Sequence, residues 1–200
     1  MSTHSFIHVE RVLMTLESPN RWARIYCHSD GYWEHNGLRL HTFYNSQELA
    51  EQLVALGDIS YLGEEIGEKH AFGFRDLFRR KHASAPNATE AMYSDPEFIR
   101  LERMCQVYGR DRNDAGTEAW RGPTLERVFT VAAYMYVWRD GMWWGTDARF
   151  KSEEDPAPYI ASLRPLADIL SEEGLLTSMW PENIRRRARY IPPPKRALLL

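Results

Sequence analysis

The stretch VFTVAAYMYVWRDGMWWGT, residues 128–146, decides the fold. Alternation with a period of two places Val128, Thr130, Ala132, Tyr134, Tyr136 and Trp138 on one face. Phe129, Val131, Ala133, Met135 and Val137 take the other. A strand apolar on both faces belongs inside a sheet, covered on both sides. Asp140-Gly141 supplies a two-residue hairpin turn, and Met142, Trp143 and Trp144 begin the returning strand. The pair is expected to span residues 126–146.

Working outward, residues 5–14 and 21–28 read as two strands joined through the turn-rich 17–20. The second strand sets Ala23, Ile25 and Cys27 against Trp22, Arg24, Tyr26 and His28. Asn45 and Glu48 have capping-box spacing ahead of an apolar stripe of Leu49, Leu53, Val54 and Leu56 that Gly57 closes. Residues 72–82 suggest a short helix with Phe74, Leu77 and Phe78 inward, and residues 83–91 a loop around Pro86. Asp95-Pro96 opens another helix through about Met104. A strand is expected at 105–108 and a mobile, turn-rich segment at 111–122. Helical spacing returns over 157–173, where Pro165 must kink the helix or open a second segment. The fold class this predicts is α+β: a mostly antiparallel sheet with helices packed on it, in one domain over 1–174. A basic, Pro-containing extension follows over 175–200, with a last short helix after Trp180-Pro181.

Two hundred residues can bury a sizeable core. The net charge of −3 gives no global field toward nucleic acid or anionic membrane. Two cysteines, Cys27 and Cys105, exclude a disulfide framework and fit a reducing compartment. The start lacks signal-peptide character, and no apolar run approaches the roughly 18 residues of a membrane helix. The expectation is a cytoplasmic protein with no membrane partner. Charge is nevertheless segregated. Residues 47–68 hold six acids and no Lys or Arg, 69–82 reverse the sign, and the end is rich in arginine. Such blocks ordinarily mark solvated faces.

The densest chemistry is IYCHSDGYWEHNG, residues 25–37. His28, Asp30 and His35 carry metal-ligand chemistry, although their intervals match no established zinc pattern. Cys27 and His28 should face opposite sides of the strand, so they make a poor nucleophilic pair. No Gly-rich phosphate loop, His-Glu-x-x-His helix or Gly-x-Ser-x-Gly elbow occurs. No cofactor is expected. The plainer reading is an ordered turn in which Gly31 takes positive φ and Asp30 caps, with Tyr32 and Trp33 as rigid contact residues.

The same stretch resembles the signature IYCHxDGYxxHxG of a set of small proteins encoded by phages and prophages. Ile25, Tyr26, Cys27, His28, Asp30, Gly31, Tyr32, His35 and Gly37 match it. ALGDISYLGEEIG (55–67), VYGRDRNDAG (107–116) and YMYVWRDGMWW (134–144) resemble that set's later segments. Ser29 stands where a Trp is usual, and Trp33 where a Pro is usual. The resemblance implies a mobile-element accessory protein that counters host defence, in the manner of anti-CRISPR inhibitors.

Three functional readings follow. The first is a non-enzymatic inhibitor that binds a host defence complex. The second is a protein sequestering a nucleotide signal through His28, Asp30, His35, Arg110 and Arg112. The third is a metal-dependent enzyme on His28, Asp30 and His35. Arg185, Arg186 and Arg187 add a basic arm, stiffened by Pro192-Pro193-Pro194 and ended by three leucines, suited to an acidic partner, a second subunit or, less favoured, nucleic acid. Deleting residues 185–200 should leave the melting temperature nearly unchanged. Partner binding or self-association should weaken, most at low salt where charge contacts are least screened. Unfolding of the truncated chain would instead make the arm part of the core.

Overall fold

In the computed structural model, which describes residues 3–11, 20–148 and 155–176, Asp140 and Gly141 both adopt left-handed φ, 54° and 75°. That is the geometry a tight hairpin needs to match strand twist. In chain order the strands are β1 (Ser5–Glu10), β2 (Trp22–Cys27), β3 (Ile59–Tyr61), β4 (Gln106–Val107), β5 (Trp120–Gly122), β6 (Tyr134–Arg139), β7 (Met142–Asp147) and β8 (Arg164–Pro165). The helices are α1 (Leu38–Phe43), α2 (Gln47–Ala55), α3 (Phe74–Lys81), α4 (Ala88–Tyr93), α5 (Pro96–Glu102), α6 (Leu125–Val128), α7 (Ala157–Ala161) and α8 (Leu166–Glu172). Single π-helical turns occupy Trp33–Gly37 and Tyr108–Arg112.

The fold is α+β, built on an eight-stranded sheet in the order β4-β3-β2-β1-β6-β7-β8, with β5 also on β2. Most neighbours are antiparallel, but β1 runs parallel to β6 and β2 parallel to β3, so the sheet is mixed. β2 carries two partners along one edge. Its first half pairs β5 through Trp22–Arg24, and Cys27 at its end pairs Ile59.

β6 is buried on both faces, as its alternation requires. Tyr134, Tyr136 and Trp138 join Ile7, Ile25, Leu40, Leu53 and Leu170 in one core. Met135 and Val137 join Trp22, Val128, Phe129 and Tyr159 in a second. A third cluster, Phe74, Phe78, Met92, Phe98, Leu101 and Met104, unites α3, α4 and α5. Among the described residues no helix is long and apolar enough to cross a membrane.

Several local expectations are corrected. The strand begins at Tyr134 rather than near 126, because Leu125, Val128 and Phe129 also satisfy helical spacing and turn inward as a lid on Met135 and Val137. Ser46, not Asn45, caps α2, accepting from the Leu49 N–H at 3.3 Å. Residues 88–93 form α4 where a loop is expected, since Asn87 caps it and Met92 reaches the third cluster. Leu77 is 47 % exposed because Phe74 and Phe78 alone fill the inward side of α3. The 111–122 segment holds β5 and a buried Asp111. Pro165 does open a second segment, ahead of α8. The turn at 17–19 and the whole arm, Arg185, Arg186 and Arg187 included, lie outside the described residues.

His8 on β1 is fully buried, its ring stacked on Phe129 at 4.8 Å and its Nδ1 donating to the Tyr136 carbonyl at 3.2 Å. Burial, reinforced by the charge of Arg24, lowers its pKa from 6.5 to about 3 against the opposing hydrogen bond. The folded state therefore holds His8 neutral, whereas the unfolded chain takes up a proton below 6.5. Its stabilisation is complete above pH 6.5 and is lost as pH falls toward 3, by about 1.4 kcal/mol per pH unit. Urea unfolding between pH 6 and 4 should show a slope that includes this contribution, and His8→Gln should flatten it by that amount. An identical slope in the variant would show that His8 is not held neutral in the fold.

Candidate functional site

β2 ends at Cys27, and the chain turns through His28, Ser29, Asp30 and Gly31 before the first π turn. The left-handed residue is Asp30 (φ 57°), not Gly31 as the sequence suggests. Aspartate tolerates that region because its short polar side chain bonds locally. Gly31 is required for another reason. Its N–H donates to the Thr3 carbonyl at 2.8 Å, and a Cβ there would lie 2.8 Å from the His4 carbonyl carbon and oxygen. Its own carbonyl accepts from the Tyr136 hydroxyl at 2.8 Å. The turn is thus clamped between β1 and β6.

The following residues lock onto this clamp. Asn36 is fully buried and donates to Ser5 Oγ at 3.0 Å, Cys27 Sγ at 3.2 Å and the Ser29 carbonyl at 3.4 Å. His35 Nδ1 donates to Asn36 Oδ1 at 2.8 Å, and its ring packs 5.1 Å from Tyr61. Burial and the charge of Arg39 lower its pKa to about 4. Trp33, expected as a contact residue, is only 8 % exposed and meets Tyr134 and Tyr136 edge-on at 4.8 and 5.4 Å. Its ring occupies the space that a side chain at Gly145 would need. A buried ring offers no face to a partner. Tyr32 stays partly exposed, its hydroxyl donating to Asp30 Oδ1 at 3.2 Å.

The three candidate metal ligands do not converge. His35 Nε2 lies 3.9 Å from Asp30 Oδ2, but His28 belongs to the opposite face of β2, with His4 and Tyr26. Among the described residues, no group of three or more His, Cys, Asp or Glu side chains is placed to hold a metal ion. Cys27 is fully buried, and burial pushes its thiol up to about 12, far from a thiolate nucleophile.

Arg110 is likewise spent inside the fold. It donates to both Asp111 oxygens (2.8 and 3.0 Å) and to the carbonyls of Ile66 (2.8 Å), Gly67 (3.0 Å) and Cys105 (2.5 Å). Those bonds account for all five guanidinium N–H groups. Asp111 also accepts from the Val107 and His70 amides. Although burial opposes it, this donor set keeps the carboxyl below its ordinary range. Arg112 pairs with Asp114 and lies 4.7 Å from the ring centres of both Phe72 and Tyr108.

What the sheet presents outward is a patch that sequence reading did not assemble. Strand register sets Phe6 beside Tyr26 and Arg24 beside Trp120 on the face away from the main core. The Arg24 guanidinium sits 4.9 Å from the Phe6 ring centre and 5.6 Å from that of Trp120, which is 49 % exposed. Farther along, His4 Nδ1 lies 2.7 Å from the His28 carbonyl, which only accepts, so that nitrogen carries the proton. The Tyr26 hydroxyl, 2.8 Å from the same nitrogen, then donates to His28 Nδ1 at 3.0 Å. Burial and the neighbouring His4 lower the pKa of His28, consistent with that neutral ring. The signal available in sequence was only the alternation Trp22, Arg24, Tyr26, His28; Phe6 and Trp120 arrive through pairing.

Compared with known proteins, the chain matches no family model, no curated protein and no solved structure.

Gly31→Ala should cost about 1–3 kcal/mol, because overpacked positions typically do. Asp30→Gly should be neutral or slightly stabilising, since glycine enters that φ without strain. Tyr136→Phe, which leaves the buried Gly31 carbonyl unpaired, should cost about 1–3 kcal/mol. Chemical denaturation of the three variants checks the set, and Gly31→Ala at wild-type stability would remove the clamp.

Proposed function

We propose that this chain is a non-enzymatic accessory protein of the phage type, which inhibits a host defence complex of CRISPR kind by binding it. The observation that supports the reading is where the signature's polar groups go. His35 bonds to Asn36, which bonds on to Ser5, Cys27 and Ser29. Asp30 accepts from the Tyr32 hydroxyl, and Arg110 bonds to Asp111 and nearby backbone. A motif used this way stiffens a surface, and rigid Tyr, Trp and Arg side chains are the ones that carry binding energy at interfaces.

The rival readings need the same residues for other purposes. A metal enzyme needs His28, Asp30 and His35 around one point, and His28 lies across β2 from the other two. A nucleotide-sequestering protein needs free guanidinium donors on Arg110, whose five N–H groups are all engaged. The cleft of about 630 Å³ beside Arg110 also carries Asp114 and Glu118, which disfavour an anion.

Expression of the chain in bacteria carrying an active CRISPR-type complex should restore plating of a targeted phage. The purified chain should also co-elute with that complex. Trp120→Ala should weaken both without lowering thermal stability, because the ring is half exposed. Normal folding with unchanged plating against every complex tried would overturn the reading.

A further inference from the structure

We propose that the open face of β1, β2 and β5 binds single-stranded nucleic acid. Bases would stack on Phe6, Tyr26 and Trp120, with Arg24 and Arg112 meeting phosphates. The inference goes beyond the proposed function and does not depend on it, since it concerns a binding activity of the chain alone.

The argument starts from an unfinished cover. On this side of the sheet, Val128, Phe129 and Tyr159 roof over Met135 and Val137, and Phe129 stacks on His8. The roof crosses β1 at His8, reaches Trp22 on β2 and Gly122 on β5, and stops there. Beyond it Phe6, Arg24, Tyr26 and Trp120 remain partly or largely exposed, on neighbouring strands in register. A sheet face carrying adjacent aromatic rings is a stacking platform for unpaired bases, and stacking tolerates any sequence because every base has a π-face.

Charge chooses this occupant over an apolar partner. Arg24 is half-buried between two rings, and burial lowers its pKa. Its one hydrogen bond among the described residues is a long one, 3.4 Å to the Val128 carbonyl. Arg110, by contrast, is fully paired. A guanidinium stacked on rings with most donors open is completed by a phosphate oxygen, which accepts its N–H groups. Arg112 repeats the arrangement on Phe72 and Tyr108, spending its Nε and one terminal nitrogen on Asp114. Asp58 joins the two stacks, its carboxylate accepting the Tyr26 N–H at 2.7 Å and its carbonyl the Tyr108 N–H at 3.1 Å. Two further acids thus lie near this track: Asp58, whose charge acts on Arg24, and the exposed Glu118. A flat sheet face enters neither groove of a duplex, so paired nucleic acid should bind more weakly.

Fluorescence anisotropy of the full chain with labelled oligonucleotides of about 12 nucleotides, a length within known site sizes, tests this. Single-stranded RNA or DNA should bind saturably at low salt, and a duplex of the same sequence less tightly. Trp120→Ala should weaken binding by about fivefold or more, the effect of losing one stacked base. Arg24→Gln should weaken it and reduce the slope of log affinity against log salt by about 0.7, one phosphate contact on a single strand. Circular dichroism would establish that both variants fold. Three results would overturn the proposal: no saturable binding, equal preference for duplex, or binding unmoved by both substitutions. Loss of phage plating in Trp120→Ala without any oligonucleotide binding would also overturn it, and make the face a protein contact.

Discussion

A strand with large apolar side chains on both faces needs two roofs, and that requirement at β6 organises everything else. Leaving one such side chain in water forfeits about 1.5–3 kcal/mol, so neither face of Tyr134–Trp138 can stay open. The chain supplies one roof from the first π turn, α1, α2 and α8, and the other from Leu125, Val128, Phe129 and Tyr159. The first roof is complete. The second reaches past His8 to Trp22 and Gly122, and the exposed part of the β1–β2–β5 face is the remainder.

The same requirement explains the fate of the conspicuous motif. For the first roof to seat, the turn after β2 must approach β1 and β6 closely. Gly31 permits the approach, Tyr136 holds it through a hydrogen bond, and Trp33 fills the space below because residue 145 has no side chain. Residues that look like chemistry in a linear reading are therefore polar fasteners. Asn36 satisfies a buried hydroxyl, a thiol and a carbonyl at once, and Arg110 closes five acceptors around Asp111. Buried polar groups are costly unless fully paired, and these are paired. Arg24 on the outer face breaks that pattern, and it is why that face draws attention as a binding surface.

The sequence by itself determined what depends on neighbours along the chain. Alternation fixed the double-sided burial of β6, the opposed faces of β2 placed Cys27 inward and His28 outward, and Asp140-Gly141 fixed the hairpin. Asp95-Pro96 marked a helix start, and the α+β class followed from these pieces. Local chemistry misled where two local patterns compete, as at Leu125–Phe129, where adjacent polar residues compete for one cap, as at Asn45 and Ser46, and where packing decided burial, as at Leu77, Met92 and Trp33. Tertiary structure alone decided who meets whom across long separations. The parallel contact of β1 with β6, the meeting of Gly31 with His4 and Tyr136, and the delivery of Trp120 to Arg24 join residues far apart in the chain. Such contacts are chosen by the joint burial of all faces, a property of the packed whole that no local pattern of residues encodes.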